Sequence, residues 1–254
     1  MESSVKQETK ERIFGFVSAF VREKARTLPA WQVEQLKRAY PFYPLFLSDE
    51  ELLAFKKERS LTTKFGQGFY PQLAKLVAED VYGAVLLEHE VRGNLNSAAY
   101  EMLEQIVTEL RHRQRAPGHP AELEDILNSR GGGVSERVAV CDVFIDDFRE
   151  GPLCIELKGP TPNLDTAAGA KRNMLYFQAI MHRSGRTDAK AFLGFYYNPW
   201  IERRLYGHWT TKQIMDMDSE VLMGAELWDY VGGPGTFDEM LPVLEKARRE
   251  VFGR

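Results

Sequence analysis

The sequence predicts an α/β fold with a helical N-terminal part. Three observations carry this. Apolar residues in the first half recur at helical spacing, and the spacing turns strand-like after Gly131-Gly132-Gly133. From there the elements run strand, strand, helix, strand before a mixed C-terminal tail, the order of an α/β protein.

Phe14, Phe16, Val17, Phe20 and Val21 mark a first helix, and Trp31, Val33, Leu36 and Tyr40 a second after Pro29. Pro41 to Leu47 is an aromatic connector. Ser48 and Glu51 form a capping box that opens a short helix into Arg59. Leu73, Leu76, Val77, Val81, Ala84, Val85 and Leu86 predict a long core helix from Phe69, and another spans Ala98 to Leu110. Three arginines, two prolines and a glycine between Arg111 and Pro120 break it.

Arg137 to Ile145 is valine-rich and Leu153 to Leu157 is a second apolar run, with the turn-like Asp146 to Pro152 between them. This predicts a β-hairpin. A helix over Thr166 to Arg183 and a third strand over Ala191 to Tyr197 follow, the strand closed by Asn198-Pro199. Thr236 to Glu239 reads as a capping box for a last helix.

The 254 residues are 44% hydrophobic and 28% charged, enough for one large domain or a domain with an appendage. No stretch is apolar for long enough to span a bilayer, and the N-terminus lacks a signal-peptide pattern, so the expectation is a cytoplasmic protein. Neither Cys141 nor Cys154 sits in a CxxC pair, the five histidines show no paired ligand spacing, and a disulfide framework is not expected. The net charge of −4 argues against nucleic acid, but the tail from Gln213 carries nine acids against four bases. The rest of the chain is close to neutral, so a local basic face decides the matter.

A hairpin turn centred near Arg149 places Asp142 opposite Glu156, and strand alternation puts Asp142, Glu156 and Lys158 on one face. Opposed carboxylates repel unless a hard cation such as Mg²⁺ lies between them. Lys158 then sits beside a metal-bound water and a phosphate, where it can orient the water or offset charge. The alternative is an exposed salt bridge on a solvated strand. The apolar run Leu153-Cys154-Ile155 with Leu157 argues against it, because such a strand is covered on both sides. The same alternation sends Cys141 and Cys154 to opposite faces, which predicts no bond between them.

The run Cys141-Asp142-Val143-Phe144-Ile145, then Ile155 to Asn163, then Lys171 to Leu175, resembles the TdeIII/MjaII-type family of type II restriction endonucleases. Arg59-Ser60-Leu61, Thr63 to Gly66, Tyr197-Asn198-Pro199 and Glu226 to Gly233 resemble further blocks of that family, so the likeness runs from about Arg59 to the C-terminus. It implies a PD-(D/E)xK restriction-endonuclease-like core, a mixed sheet flanked by helices, in residues 59–254. Residues 1–58 then form a helical N-terminal region, a dimer contact or a DNA clamp.

It also implies a homodimer cutting a short specific site in double-stranded DNA with Mg²⁺, as part of a restriction–modification system. Asp142 and Glu156 are then the metal ligands and Lys158 the catalytic lysine, while Cys141 stands where the family pattern has proline. Some relatives add an acid from the preceding helix, for which Glu79 and Glu88 are available.

Candidate DNA contacts are Asn163 in the loop, Lys171 and Arg172 on the following helix, Arg130 beside the three glycines, and Arg203 and Arg204. Arg111, Arg113 and Arg115, with His208 and Lys212, form further basic turns, and Tyr196, Tyr197 and Trp200 could stack on bases. Each has the alternative of an ordinary loop or core residue, as does Gln178 on its helix. Two rival functions stand beside the restriction enzyme: a structure-specific repair nuclease of the same fold, and a catalytically silent DNA-binding protein.

Overall fold

The computed structural model describes residues 5–27 and 32–253; Pro29 and Trp31, cited for the predicted second helix, lie outside them. Helices α1 (Gln7–Thr27), α2 (Val33–Ala39) and α3 (Asp49–Lys64) come first, with a 3-10 turn at Tyr43–Leu45. The capping box forms as predicted: Ser48 N–H donates to Glu51 Oε2 at 2.8 Å and Glu51 N–H to Ser48 Oγ at 3.3 Å. A π-helical turn, Phe65–Phe69, joins α3 to α4 (Tyr70–Ala78).

The expected long helix through Leu86 is wrong. It ends at Ala78, and after Tyr82-Gly83 the chain enters a strand, β1 (Val85–Asn96). Within β1, Val91 and Leu95 face the core while the residues between them are mostly solvated, an alternation that its many polar residues obscured. Gly93 is needed in the middle of this strand, because an added Cβ would lie 2.4 Å from Ile180 of the helix packed on it.

Helix α5 (Ser97–Arg111) ends at the predicted break, and α6 (His119–Asn128), with Pro120 in its first turn, was not anticipated. The hairpin follows as β2 (Val134–Ile145) and β3 (Leu153–Lys158), then α7 (Leu164–Arg183) and β4 (Lys190–Phe195). A 3-10 turn at Arg203–Leu205 leads to α8 (Trp209–Ile214), α9 (Met217–Glu220), β5 (Val221–Met223), α10 (Ala225–Gly232) and α11 (Thr236–Phe252). The capping box expected at Thr236 does not form. Gly235 at φ +85° is the cap residue, Thr236 is buried, and Asp229 Oδ1 accepts the Phe237 amide at 2.9 Å instead.

The five strands form one mixed sheet in chain order, β1-β2-β3 antiparallel and β3-β4-β5 parallel. One face is covered by α5, α6 and α7, with Leu103, Ile106, Met174 and Phe177 in its core. The other is covered by α1, α4, α10 and α11, with Ile13, Leu73, Trp228 and Met240 in its core. Helix α1 is thus part of the same hydrophobic core, and α3 runs unbroken across residues 58 and 59. Among the described residues no helix is long and apolar enough to cross a membrane.

The β1–β2 ladder keeps one register from end to end but skips the pair Glu88 and Asp142. Glu88 has φ +49°, in the left-handed region. On β2, Ala139 and Cys141 belong to one core, whereas Val143 and Ile145 belong to the other, so the side-chain alternation reverses at Asp142. This overturns the expectation for the cysteines. The reversal brings Cys141 to the face that Cys154 occupies, and the two form a disulfide with their Cα atoms 5.3 Å apart.

Candidate active site

The β2–β3 register pairs Val143 with Ile155, the pairing that the sequence anticipated, and the regular ladder stops there. Beyond it, the Asp142 side chain replaces the missing backbone partner: the Leu157 N–H donates to Asp142 Oδ2 at 2.7 Å. Strand β3 is buried along its length up to Lys158, as its apolar run implied. Two charged side chains in such a strand need partners, and they have them. Lys158 Nζ lies 2.8 Å from Asp142 Oδ2 and 3.1 Å from Glu156 Oε2, so the three predicted residues converge.

Asn173 of α7 completes the arrangement. Its Nδ2 donates to Glu156 Oε1 and to the Val140 carbonyl, and its Oδ1 accepts the Val140 N–H at 2.9 Å. Burial pushes the Glu156 carboxyl up, Lys158 opposes this, and Asp142 adds to it, with a net rise. For Lys158, burial pulls the ammonium down, but the two carboxylates outweigh it and leave its pKa above the ordinary lysine value. In the free protein Lys158 is therefore a cation held between two acids.

Asp142 and Lys158 open onto a cavity of about 430 Å³, also lined by Leu157, Glu88, Tyr196 and the turn residues Gly66 and Gln67 with Pro71. Glu88 reaches it from β1, not from a helix, across the skipped ladder position from Asp142. Glu79 does not take part; it pairs with Arg12 and, at 3.6 Å, with Lys75. Tyr196 stacks on Tyr70 with ring centroids 3.9 Å apart, and burial pushes the Tyr70 hydroxyl up to about 12. Trp228 backs the wall by donating Nε1–H to the Tyr196 carbonyl at 3.0 Å.

Most of the basic residues proposed for DNA are committed elsewhere. Lys171 is fully buried, bound to both Glu220 oxygens at 2.6 Å and to Glu122, so it meets no phosphate. Arg172 holds the Glu104 carboxylate at 2.9 and 3.0 Å. Arg203 binds Glu226 and the carbonyls of Met217 and Val221, a structural tie. Arg204 is exposed beside Glu202. Asn163 caps α7 by accepting the Thr166 amide at 2.8 Å. Arg130 is exposed, but of the three glycines after it Gly132 is needed for packing: it has φ +77° and sits against Ser97.

Of the other residues, Gln178 is buried and donates to the Ala189 carbonyl, Arg111 pairs with Asp165, and Arg115 with Glu109 and Asp125. His119, Glu122 and Glu220 come close enough to suggest a metal group, which no sequence spacing announced, yet the Lys171 ammonium already sits among them. The sequence also missed Asn173 and the cavity face of β1, because both depend on how helix and strand stack on the hairpin.

A mixed five-stranded sheet with helices on both faces is consistent with a restriction-endonuclease-like fold. The family described as "Type II restriction endonuclease, HinfI" matches residues 2–248, and the chain belongs to it: it is a type II restriction endonuclease, a site-specific endodeoxyribonuclease. The matching family is thus HinfI, where the sequence blocks had suggested the TdeIII/MjaII type.

Among curated relatives, the "Type II restriction enzyme HgiEI" of Herpetosiphon aurantiacus is 24% identical over 94% of this chain and 92% of its own. The "Type II restriction enzyme HgiBI" of the same organism is 26% identical over 81% of this chain and 76% of its own. No solved structure matches.

Proposed function

We propose that Asp142, Glu156 and Lys158 are a PD-(D/E)xK-type catalytic core, with the TdeIII/MjaII-like blocks marking its surroundings, and that it hydrolyses duplex DNA with Mg²⁺. The observation that carries this is the Lys158 ammonium within 2.8 and 3.1 Å of two carboxylates at the mouth of an open cavity. The chemistry of the donors suits a hard cation: Asp142 and Glu156, both within reach of Lys158, offer carboxylate oxygens, and Glu88 lines the same cavity as Asp142. Bound there, Mg²⁺ would polarise the phosphate and acidify a water.

The protein's own groups do the rest. Asn173 fixes the rotamer of Glu156, and the Leu157 amide fixes that of Asp142. Lys158 holds a water against the phosphate and offsets the charge that grows as the water oxygen bonds to phosphorus and the P–O3′ bond breaks. The products are a 5′-phosphate and a 3′-hydroxyl. Cutting both strands of a duplex calls for two copies of the site about a two-fold axis, hence a homodimer in the cytoplasm acting on double-stranded DNA. Residues 1–58 supply the dimer contact or a clamp on DNA through the exposed Phe42, Leu45 and Phe46.

Plasmid digestion tests the reading. Purified protein should give discrete fragments with Mg²⁺, none with EDTA, and none with Lys158→Ala. A smear would favour a nuclease without a defined site, and binding without any cutting would favour a silent DNA-binding protein.

A further inference from the structure

We propose that Gln67, at the crown of the π-helical turn Phe65–Phe69, is a DNA-contact residue whose carboxamide donates to a backbone phosphate next to the bond that is cut. The inference rests on the catalytic reading of Asp142, Glu156 and Lys158 and adds a substrate-binding residue to it. Four observations support it.

Gln67 lines the same cavity as Asp142 and Lys158. Its side chain is exposed, and no described residue hydrogen-bonds to its amide. The turn that carries it is wound from i to i+5, with the Tyr70 N–H donating to the Phe65 carbonyl, a rare geometry concentrated at functional sites. That turn is also firmly based. Phe65 and Phe69 pack with Phe20 at centroid distances of 6.0 and 5.1 Å, so the crown is presented on a fixed support.

The charge of the cavity indicates the ligand atom. Its acids repel a phosphodiester, and the Lys158 ammonium is engaged with two of them. A neutral donor lining the same cavity can bind a phosphate oxygen without competing for those acids. Glycines flank it. Gly66 has Tyr196 Oη 3.2 Å from an added Cβ, whereas at Gly68 an added Cβ meets nothing and φ is not positive. Packing therefore does not explain Gly68, and a bare backbone there lets a DNA strand approach.

The test uses the full-length protein, a duplex carrying the site found by plasmid digestion, and Ca²⁺ to support binding without cutting. Gln67→Ala should weaken binding roughly ten- to a hundredfold, the effect of losing a hydrogen bond to a charged oxygen, with thermal stability unchanged. A neutral methylphosphonate beside the scissile position should weaken wild-type binding and leave Gln67→Ala unaffected. Gly68→Ala should raise the melting temperature slightly and still weaken binding.

Wild-type affinity in Gln67→Ala, or equal methylphosphonate losses in both proteins at every position, overturns the proposal. Mn²⁺ binding in the absence of DNA separates the two levels. It should persist in Gln67→Ala and be lost in Asp142→Ala; retention in Asp142→Ala sinks the catalytic reading, whatever Gln67 does.

Discussion

Asn173 binds Glu156 with the same amide group that it uses to bind the Val140 carbonyl, so one side chain of α7 ties together β3, which carries Glu156, and its neighbour β2. The other Glu156 oxygen, Oε2, lies 3.1 Å from Lys158 Nζ.

Removing that clamp should reduce turnover more than DNA binding. Asn173→Ala is expected to lower kcat by about ten- to a hundredfold, the usual cost of losing a partner that orients a metal-binding carboxylate, which is the role proposed for Glu156. Asn173→Asp should be worse, because it sets a third carboxylate against Glu156. Steady-state cleavage kinetics check both; an unchanged kcat in Asn173→Ala would remove the positioning role.

Lys171 gives the opposite kind of prediction. Its ammonium is the counter-charge for Glu122 and Glu220 inside the α6–α7–α9 contact. Lys171→Met should cost about 3–5 kcal/mol by stranding buried carboxylates. Adding Glu220→Gln should recover part of it. Denaturant unfolding measures this, and a small loss together with weakened DNA binding would restore Lys171 as a DNA contact.

The same cluster sets a pH dependence. Burial pushes the Glu220 carboxyl up, but the charge of Lys171 and the hydrogen bond from His119 more than reverse this, so its folded pKa lies below the ordinary 4.5. A depressed acid contributes stability that is complete above its unfolded pKa and is lost as pH falls through the folded one. The stability gap between wild type and Glu220→Gln, from thermal melts, should be constant near neutrality and shrink below about pH 4.5. A gap that widens on acidification would contradict this.

The Cys141–Cys154 disulfide closes a short loop across the hairpin that carries Asp142 and Glu156. Thiol titration of the unfolded, unreduced protein should find no free cysteine. Reduction should lower the melting temperature by roughly 6–12 °C, from the chain entropy of a loop of this size. Two titratable thiols and no effect of reductant would show that the pair is not bonded in the isolated protein.

By itself the sequence determined the hairpin, its register and the nearness of Asp142 to Glu156 and Lys158, because a turn of known centre places those positions opposite one another; at Asp142 itself the alternation reverses, and the Leu157 N–H holds its side chain. The capping box at Ser48, helix α7 and strand β4 were legible for the same local reasons.

Tertiary structure decided what local period cannot hold. Strand β1 looked like the end of a helix because Val81 to Leu86 is apolar throughout, and only pairing with β2 makes it a strand. The reversal at Glu88 and Asp142 breaks the alternation on which the cysteine prediction depended. Lys171 and Arg203 look like free surface cations in one dimension. Acids from distant segments, Glu122, Glu220 and Glu226, claim them, since a buried charge must find its partner wherever the fold brings one.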